Sequence, residues 1–377
     1  MKRLDILDYV RGFAALAILL YHFCSWTFGQ YDASTLLGRV GIYGVSIFYL
    51  LSGLTFYLVY QSKFRPKMSW GKSFFLKRFL RIFPLLWIAT FMHLLFIHGP
   101  IDVDQLIMNA TGLFAFFSWD HYFATGAWSI GNELVFYALL PLMFIVTRKF
   151  KSGVAILLLF SALLYGWFAF FLIDGSSSLS EEWYLYTNPL NQVFLFVGGF
   201  AIGHYRKRLS FGTRFSFLLI LFGAALFMLF PVTGERLQLI CGVPRIVFTL
   251  ACGMVVLGFS TMNWQLKGTA HNSFRWLGHI SYSLYLLHPI VFESTNLWFG
   301  DLFQDLFGTS AGLTFILAFM LSIGLSSFSY QFIEKPMVEI GRMKWRKRKK
   351  VVVERKRYTL NNPFGSLLKR IAAFRLW

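Results

Sequence analysis

Residues 5–27 read DILDYVRGFAALAILLYHFCSWT, and this stretch decides the kind of fold that the chain can adopt. It is apolar along most of its length and long enough to cross the hydrocarbon core of a bilayer. Asp5, Asp8 and Arg11 interrupt its first half, and no small-residue cleavage site follows it cleanly. We therefore predict an uncleaved first transmembrane helix rather than a signal peptide.

The composition of the whole chain also indicates a membrane protein. Of its 377 residues, 56% are hydrophobic and only 14% are charged, whereas about a quarter of the residues of a soluble protein are charged. The net charge of +19 does not indicate nucleic acid binding, because 14 of the 36 lysines and arginines lie from Lys335 onward and most others lie in short loops. The three cysteines lack disulfide or metal-ligand spacing, so we predict no metal site.

Apolar segments of spanning length recur along the chain, and the charges between them alternate. The ten segments lie near residues 5–27, 40–61, 79–98, 128–147, 152–174, 189–205, 211–231, 240–260, 275–297 and 310–333. With a cytoplasmic N-terminus, the inner loops are basic and the outer loops acidic, and only Arg39 and Arg236 break the pattern. We predict an all-α, polytopic integral membrane protein with about ten transmembrane helices and both termini in the cytoplasm. The shorter segment 105–118 is predicted to be re-entrant or interfacial.

The chain divides into a transmembrane domain, residues 1–337, and a basic tail, residues 338–377. Residues 342–357 are densely basic, and residues 364–377 place apolar side chains at helical spacing with lysine and arginine between them. This pattern is typical of an amphipathic helix on anionic lipid. A solvated basic tail would have the same composition, so both interpretations stay open.

Ionisable residues inside the first predicted helix require an explanation, because each costs at least ~2.5–3.5 kcal/mol to insert into a membrane. Arg11 and His22 are eleven residues apart, which is three turns plus ~20°, so they share one face about 16 Å apart along the axis. Asp8 lies one turn before Arg11 and can neutralise it. We predict that His22 lies in the outer half of the membrane and Arg11 in the inner half.

The third predicted helix opens with a cationic cluster of Lys77, Arg78 and Arg81, which helical spacing places close together. An anchor in the inner membrane surface would need such a cluster. A clamp for a phosphorylated cytosolic ligand would need it equally.

Two later helices also carry polar residues on one face. Ser129, Glu133 and Tyr137 follow at intervals of four, and Ser281, Tyr285 and His288 share a face by the same reasoning. We predict that Glu133 lies at a depth similar to His22, with His288 near mid-membrane. By contrast, Glu334 and Lys335 are predicted to form an anchoring pair at the inner surface. The chain would thus have a polar pathway with cations at its inner end and acid–base groups at its outer end.

These residues resemble the acyltransferase-3 family of integral membrane acyltransferases. The resemblance runs in order along residues 4–337, and the stretches that carry it are residues 4–15 (LDILDYVRGFAA) with His22, residues 44–53 (GVSIFYLLSG), residues 77–84 (KRFLRIFP), residues 128–137 (WSIGNELVFY), residues 281–288 (SYSLYLLH) and residues 332–336 (FIEKP). The resemblance implies a stand-alone member of the bacterial inner membrane, without the SGNH hydrolase-like domain that some members carry.

The resemblance also implies an activity and residue roles. Members take acyl groups from acyl-CoA at the cytosolic face and modify acceptors such as lipopolysaccharide sugars, exopolysaccharides and peptidoglycan. By this resemblance the protein is an O-acetyltransferase that moves an acyl group, acetyl by family prevalence, from the co-substrate acyl-CoA to a hydroxyl of an envelope saccharide or lipid-linked glycan, with no bound cofactor. His22 would be the catalytic base and Arg11 its companion. Arg78 and Arg81, with Lys77, would hold CoA.

The remaining polar residues are given roles around that centre. Glu133 would orient the imidazole of His22 or bind the sugar, and Arg11 would polarise the thioester or stabilise the oxyanion. The predicted supporting residues are Asp8, Ser129, Tyr137, Ser281, Tyr285 and His288.

Two other classes of protein would share the spans and the intramembrane charges. A secondary transporter or exporter of a glycan or small solute would have inverted repeats or paired broken helices, which the sequence does not display. A non-catalytic scaffold in a polysaccharide assembly would not need His22. Binding of CoA distinguishes these hypotheses, because an acyl-CoA-dependent enzyme should bind CoA and a transporter should not.

Overall fold

The computed structural model describes residues 4–96, 100–206, 208–209, 211–262, 264, 266–308 and 310–342. Within these residues the protein is helical and contains no strand, which confirms the predicted all-α class. The α-helices of the described part are α1 (Asp5–Phe28), α2 (Leu36–Tyr60), α3 (Met68–Leu94), α4 (Val103–Thr111), α5 (Phe114–Phe117), α6 (Ala127–Lys149), α7 (Gly153–Trp167), α8 (Trp183–Thr187), α9 (Pro189–Tyr205), α10 (Thr213–Leu229), α11 (Gly242–Thr261), α12 (Gly268–Phe307) and α13 (Ala311–Ser329).

Six helices of the described part are long and apolar enough to cross a membrane. They are α1, α2, α6, α7 with the π-helical turn after it, α11, and α13 with its helical continuation to Arg342. The other four predicted spans overlap α3, α9, α10 and α12. Because α9 and α10 have 17 residues each, they reach about 26 Å, slightly less than the ~30 Å hydrocarbon core. By contrast, α3 and α12 are long but carry several charged side chains.

The contact between α1 and α12 rests on two glycines. A Cβ on Gly12 would lie 2.8 Å from the backbone nitrogen of Gly278, so only glycine lets the two helices approach this closely. The helices run parallel, because His22 contacts His288 ten residues after each glycine. The equal spacing brings two histidines that are distant in sequence to the same level of the bundle.

Glycine also controls the extensive contact between α2 and α9. A Cβ on Gly199 would collide with the backbone carbonyl of Leu50, and one on Gly203 would press on Tyr57. The small-residue pair Gly199 and Gly203 therefore packs helices within one chain.

We predict opposite effects for alanine at two adjacent positions of α9. Gly199→Ala should destabilise the protein by about 1–3 kcal/mol, because the backbone of Leu50 cannot move aside. Gly198→Ala should be neutral or stabilising by up to about 1 kcal/mol, because its Cβ would make an ordinary 3.6 Å contact and glycine weakens a helix interior. Unfolding of the two purified variants in detergent measures both values. Equal loss of stability in both would contradict the packing argument.

Hydrogen bonds join the loops at one end of the bundle. This end, here called the acidic end, comprises residues 29–35, 118–126, 174–188 and 230–241. The amide of Ala33 donates to the carbonyl of Gly234 at 3.0 Å, and the indole of Trp119 donates to the carbonyl of Tyr184 at 2.9 Å. Burial raises the pKa of Tyr122 to about 12, so this phenol stays neutral and accepts a hydrogen bond from the indole of Trp183.

The loops at the opposite end, here called the basic end, are residues 61–67, 148–152, 206 and 208–209, and they are rich in lysine and arginine. Arg148 donates to the carbonyls of Gln61 and Phe64, and Arg206 donates to the carbonyl of Ser260. Backbone carbonyls at helix ends lack helical donors, and these arginines satisfy them.

Three further expectations concern particular segments of the chain. The segment 105–118 forms the two short helices α4 and α5. The predicted Glu334–Lys335 anchoring pair is wrong: a π-helical turn over Tyr330–Glu334 turns Glu334 inward, where it is 6% exposed and accepts a hydrogen bond from Ser283. The proposed boundary after residue 337 falls in a helical segment that continues to Arg342, and the tail from residue 343 lies outside the described residues.

Candidate active site

A cavity of about 850 Å³ extends into the bundle from the basic end. Its lining begins at Leu4, Lys63 and Arg342 and ends at Ser129 and Tyr285. Of the twelve residues that the sequence nominates for the site, ten line this cavity: Asp8, Arg11, Lys77, Arg78, Arg81, Ser129, Glu133, Tyr137, Ser281 and Tyr285. The other two, His22 and His288, contact each other instead.

Arg11 is held in the cavity wall by two partners. Its Nη1 lies 3.4 Å from a carboxylate oxygen of Asp8, as the helical spacing predicts, and its Nη2 donates to the hydroxyl of Thr55 at 2.7 Å. Thr55 lies on α2, just after the motif of residues 44–53, and sequence reasoning missed it because nothing in the sequence marks which face of α2 meets α1.

The cationic cluster on α3 faces the cavity near its basic end. The guanidinium of Arg78 lies 5.0 Å from the ring centre of Phe56 and 5.9 Å from that of Tyr137. Its Nε is buried and has no hydrogen-bond partner among the described residues. An arginine held between aromatic rings with an unused donor is suited to bind an anion. Lys63 and Arg342, which the sequence did not nominate, add two cations to the same wall.

Glu133 belongs to the cavity and not to the histidines. Its carboxylate accepts a hydrogen bond from Tyr137, one turn later on α6, and it is an electrostatic neighbour of Arg11 and Arg81. The structure gives it no contact with His22 within the described residues. The expectation that Glu133 orients the imidazole is therefore wrong, because the rotation of α6 turns this face toward the cations of α1 and α3.

Hydroxyl groups close the inner end of the cavity. Ser129 donates to the phenol oxygen of Tyr285 at 2.8 Å, and Tyr285 donates to the carbonyl of Gly126 at 3.2 Å. The ring of Phe48 lies 6.0 Å from that of Tyr285, whose other neighbour is the ring of His288 at 6.2 Å. Tyr285 thus lines the inner end of the cavity and also contacts the ring of His288, so the cavity and the histidine pair adjoin at this residue.

The two histidines form a chain of hydrogen bonds with a defined direction. Nδ1 of His22 lies 2.8 Å from Nε2 of His288, and Nδ1 of His288 lies 2.9 Å from the carbonyl oxygen of Leu284. A carbonyl only accepts, so Nδ1 of His288 carries the proton and its Nε2, in the neutral ring, accepts. Nδ1 of His22 must then donate, which leaves Nε2 of His22 with a free lone pair.

The residue after His288 contributes to this arrangement. Pro289 has no amide hydrogen, so the carbonyl of Tyr285 loses its helical donor. That carbonyl, like the one of Leu284, faces the His288 imidazole. His288 is fully buried, whereas His22 is only partly buried. The free nitrogen therefore belongs to the more accessible of the two rings.

Aromatic residues surround His22 on its open side. Trp26, one turn later on α1, stacks on the imidazole with the ring centres 4.9 Å apart and the planes 7° apart. Trp26 is 41% exposed, so this side of the site is open at the surface. Tyr21 lies beside His22 and accepts a hydrogen bond from Arg236 of the acidic end. Helical spacing from His22 could have identified Trp26, but only the fold brings Arg236 here.

Comparison with known proteins shows which family the chain belongs to. The acyltransferase domain family matches residues 4–330. Nodulation protein 10 of Rhizobium leguminosarum bv. viciae is 30% identical over 185 residues, which cover 41% of this chain and 48% of that protein. ORF330 of Acidianus two-tailed virus, named for a predicted acetyltransferase activity, is 26% identical over 297 residues, which cover 75% of this chain and 82% of that protein. The chain thus spans about half the length of the first relative, and no solved structure matches it significantly.

Proposed function

The chain belongs to the acyltransferase-3 family, and from this premise we propose that it transfers an acyl group, acetyl in the first instance, from acyl-CoA to a hydroxyl of an envelope saccharide or lipid-linked glycan. We further propose that it crosses the membrane about ten times, with the basic end in the cytosol, as the excess of lysine and arginine there favours.

The observation that carries the proposal is that a cavity lined by cations and a pair of histidines adjoin at Tyr285. A cavity lined by cations begins at the basic end, and a histidine with a free nitrogen lies beyond the cavity's inner end. A polyanionic donor from the cytosol and an acceptor from the opposite side can then meet there from two directions.

The donor is assigned to the cavity. Arg78, with Arg81, Lys77, Lys63 and Arg342, provides charges for the phosphates of CoA. Arg11 is also assigned to the donor rather than to an oxyanion beside His22, because about 16 Å separates the two residues along α1. The acyl thioester would extend toward Ser129 and Tyr285.

The chemistry follows from the free nitrogen of His22. Nε2 of His22 removes the proton from the acceptor hydroxyl while the hydroxyl oxygen bonds to the thioester carbon. The carbon–sulfur bond then breaks, and the departing CoA sulfur takes the proton from the imidazolium. Ser129 and Tyr285 are the nearest hydroxyl groups at the inner end of the cavity and are proposed to position the thioester.

Transfer can be tested in membranes that contain the protein, with acetyl-CoA labelled in its acetyl group. We expect label in envelope glycans that mild alkali releases, as an oxygen ester requires, and no label in membranes without the protein. Unchanged acetyl-CoA together with protein-dependent movement of a glycan across the membrane would contradict the proposal and favour a transporter.

We predict that Arg78→Gln weakens binding of CoA about tenfold or more, because a charged hydrogen bond in a partly desolvated site is lost. Lys72→Gln is the matched control, since Lys72 lies on the same helix at the same end but does not line the cavity. Titration of the purified variants with CoA measures the two dissociation constants. Equal weakening in both variants would reduce the role of Arg78 to general charge.

A further inference from the structure

Arg236 is a cation at the acidic end of the bundle, where the other loop charges are mostly negative. It begins a short helical turn, Arg236–Leu239, which is anchored by the fully buried Leu237 and Leu239. The guanidinium is partly buried and donates to the hydroxyl of Tyr21. The turn thus holds this arginine against α1 at the residue that precedes His22.

Arg39, the other cation that departs from the charge pattern, has a sufficient structural explanation. It is 4% exposed and donates to the carbonyls of Ala33, Phe227, Met228 and Phe230, so it closes the C-terminal end of α10. No comparable set of carbonyls surrounds Arg236 within the described residues.

Arg236 also lacks a counter-ion in the described part of the chain, where no carboxylate lies within 4.0 Å of its guanidinium. The adjacent Glu235 does not serve, because its carboxylate accepts from the amide of Leu237. A partly buried cation without a counter-ion has charge and donors available for an incoming anion.

The position of Arg236 relative to His22 indicates a role in substrate binding. Its charge acts on the imidazole of His22, and the rings of Tyr21 and His22 lie 5.0 Å apart. Trp26 covers a face of the imidazole and is open at the surface. Arg236 thus lies beside His22 and does not line the cavity assigned to CoA, which leaves it for the acceptor.

We propose that Arg236 binds an oxyanion of the acceptor, so that the substrate class is an anionic saccharide whose charged group lies near the hydroxyl that is acylated. This inference rests on the proposed function. The planar guanidinium matches two oxygens of a phosphate or carboxylate. A neutral sugar would be recognised by neutral hydrogen-bonding groups and would gain little from an unpaired cation.

The test measures protection of His22 from diethyl pyrocarbonate in the purified full-length protein, read as modified peptide by mass spectrometry. The probes are glucose 1-phosphate, glucuronate and neutral methyl glucoside at equal ionic strength. His121, exposed at the acidic end, is the internal control. We expect the phosphate or the carboxylate probe to slow modification of His22 alone, and methyl glucoside to have no effect.

Arg236→Gln should raise the half-protecting concentration about tenfold, and Arg236→Lys should retain part of the protection. Protection that is absent, or unchanged in Arg236→Gln, would overturn the inference. So would a free protein in which His121 reacts and His22 does not, since no acceptor would then reach the imidazole. The assay needs no acyl donor, so its result is independent of whether acyl transfer itself is detected.

Discussion

Cells that express His22→Ala are expected to attach about 10²–10⁴-fold less labelled acetate to their envelope glycans than cells with the wild-type protein, at equal protein levels. The reason is that Nε2 of His22 is the free basic nitrogen of the histidine pair, and alanine leaves no group to take the proton of the acceptor hydroxyl. Mass spectrometry of the glycans from cells fed labelled acetate measures the loss. It also identifies the acceptor.

The matched control is His204→Ala. His204 is a helical histidine with an aromatic hydrogen-bond partner, Tyr57, but it does not line the cavity or contact the pair. It should keep nearly full transfer. If His22→Ala makes the same labelled species in the same amount as the wild-type protein, His22 is structural and the proposed mechanism is wrong.

Local patterns in the sequence were sufficient to predict most of the fold. Each of the ten apolar segments overlaps a helix, because a long apolar run can satisfy its backbone in lipid only by forming one. The charges of the loops likewise distinguish the basic end of the bundle from the acidic end. Glu334 was misplaced because a π-helical turn, which has no sequence signature, rotates it into the core.

The site was predictable wherever a single helix carries the information. Arg11 and Asp8 pair as their spacing requires, and Ser129, Glu133 and Tyr137 line one cavity. What spacing cannot give is the partner on another helix. Spacing alone therefore predicts Glu133 beside His22, whereas the rotation of α6 directs the Glu133 carboxylate to Tyr137 and the cations.

One signal for the histidine pair was nevertheless present in the sequence. Gly12 precedes His22 by ten residues, and Gly278 precedes His288 by ten residues. Two parallel helices that meet at their glycines must hold the two histidines at equal depth, about 15 Å further along. The spacing becomes informative only once the glycine contact is known, and that contact is a property of the packed bundle.

The second large effect is expected at His288, which acts on the reaction through His22. His288→Leu should lower the catalytic rate about 10–100-fold, because Nδ1 of His22 loses its acceptor and the imidazole is no longer held in the tautomer with a free Nε2. The Michaelis constant for acetyl-CoA should stay near the wild-type value, because His288 does not line the donor cavity.

His288→Gln separates this positioning role from a merely structural one. The amide oxygen of glutamine can accept from Nδ1 of His22 as the Nε2 of His288 does, so this variant should recover much of the rate that leucine loses. Both substitutions remove the bond to the carbonyl of Leu284 or weaken it, so their folding stability should fall to a similar extent. If rate and stability fall together in both variants, His288 only packs the site. If glutamine restores the rate at equal stability, the direction of the hydrogen-bond chain is what makes His22 a base.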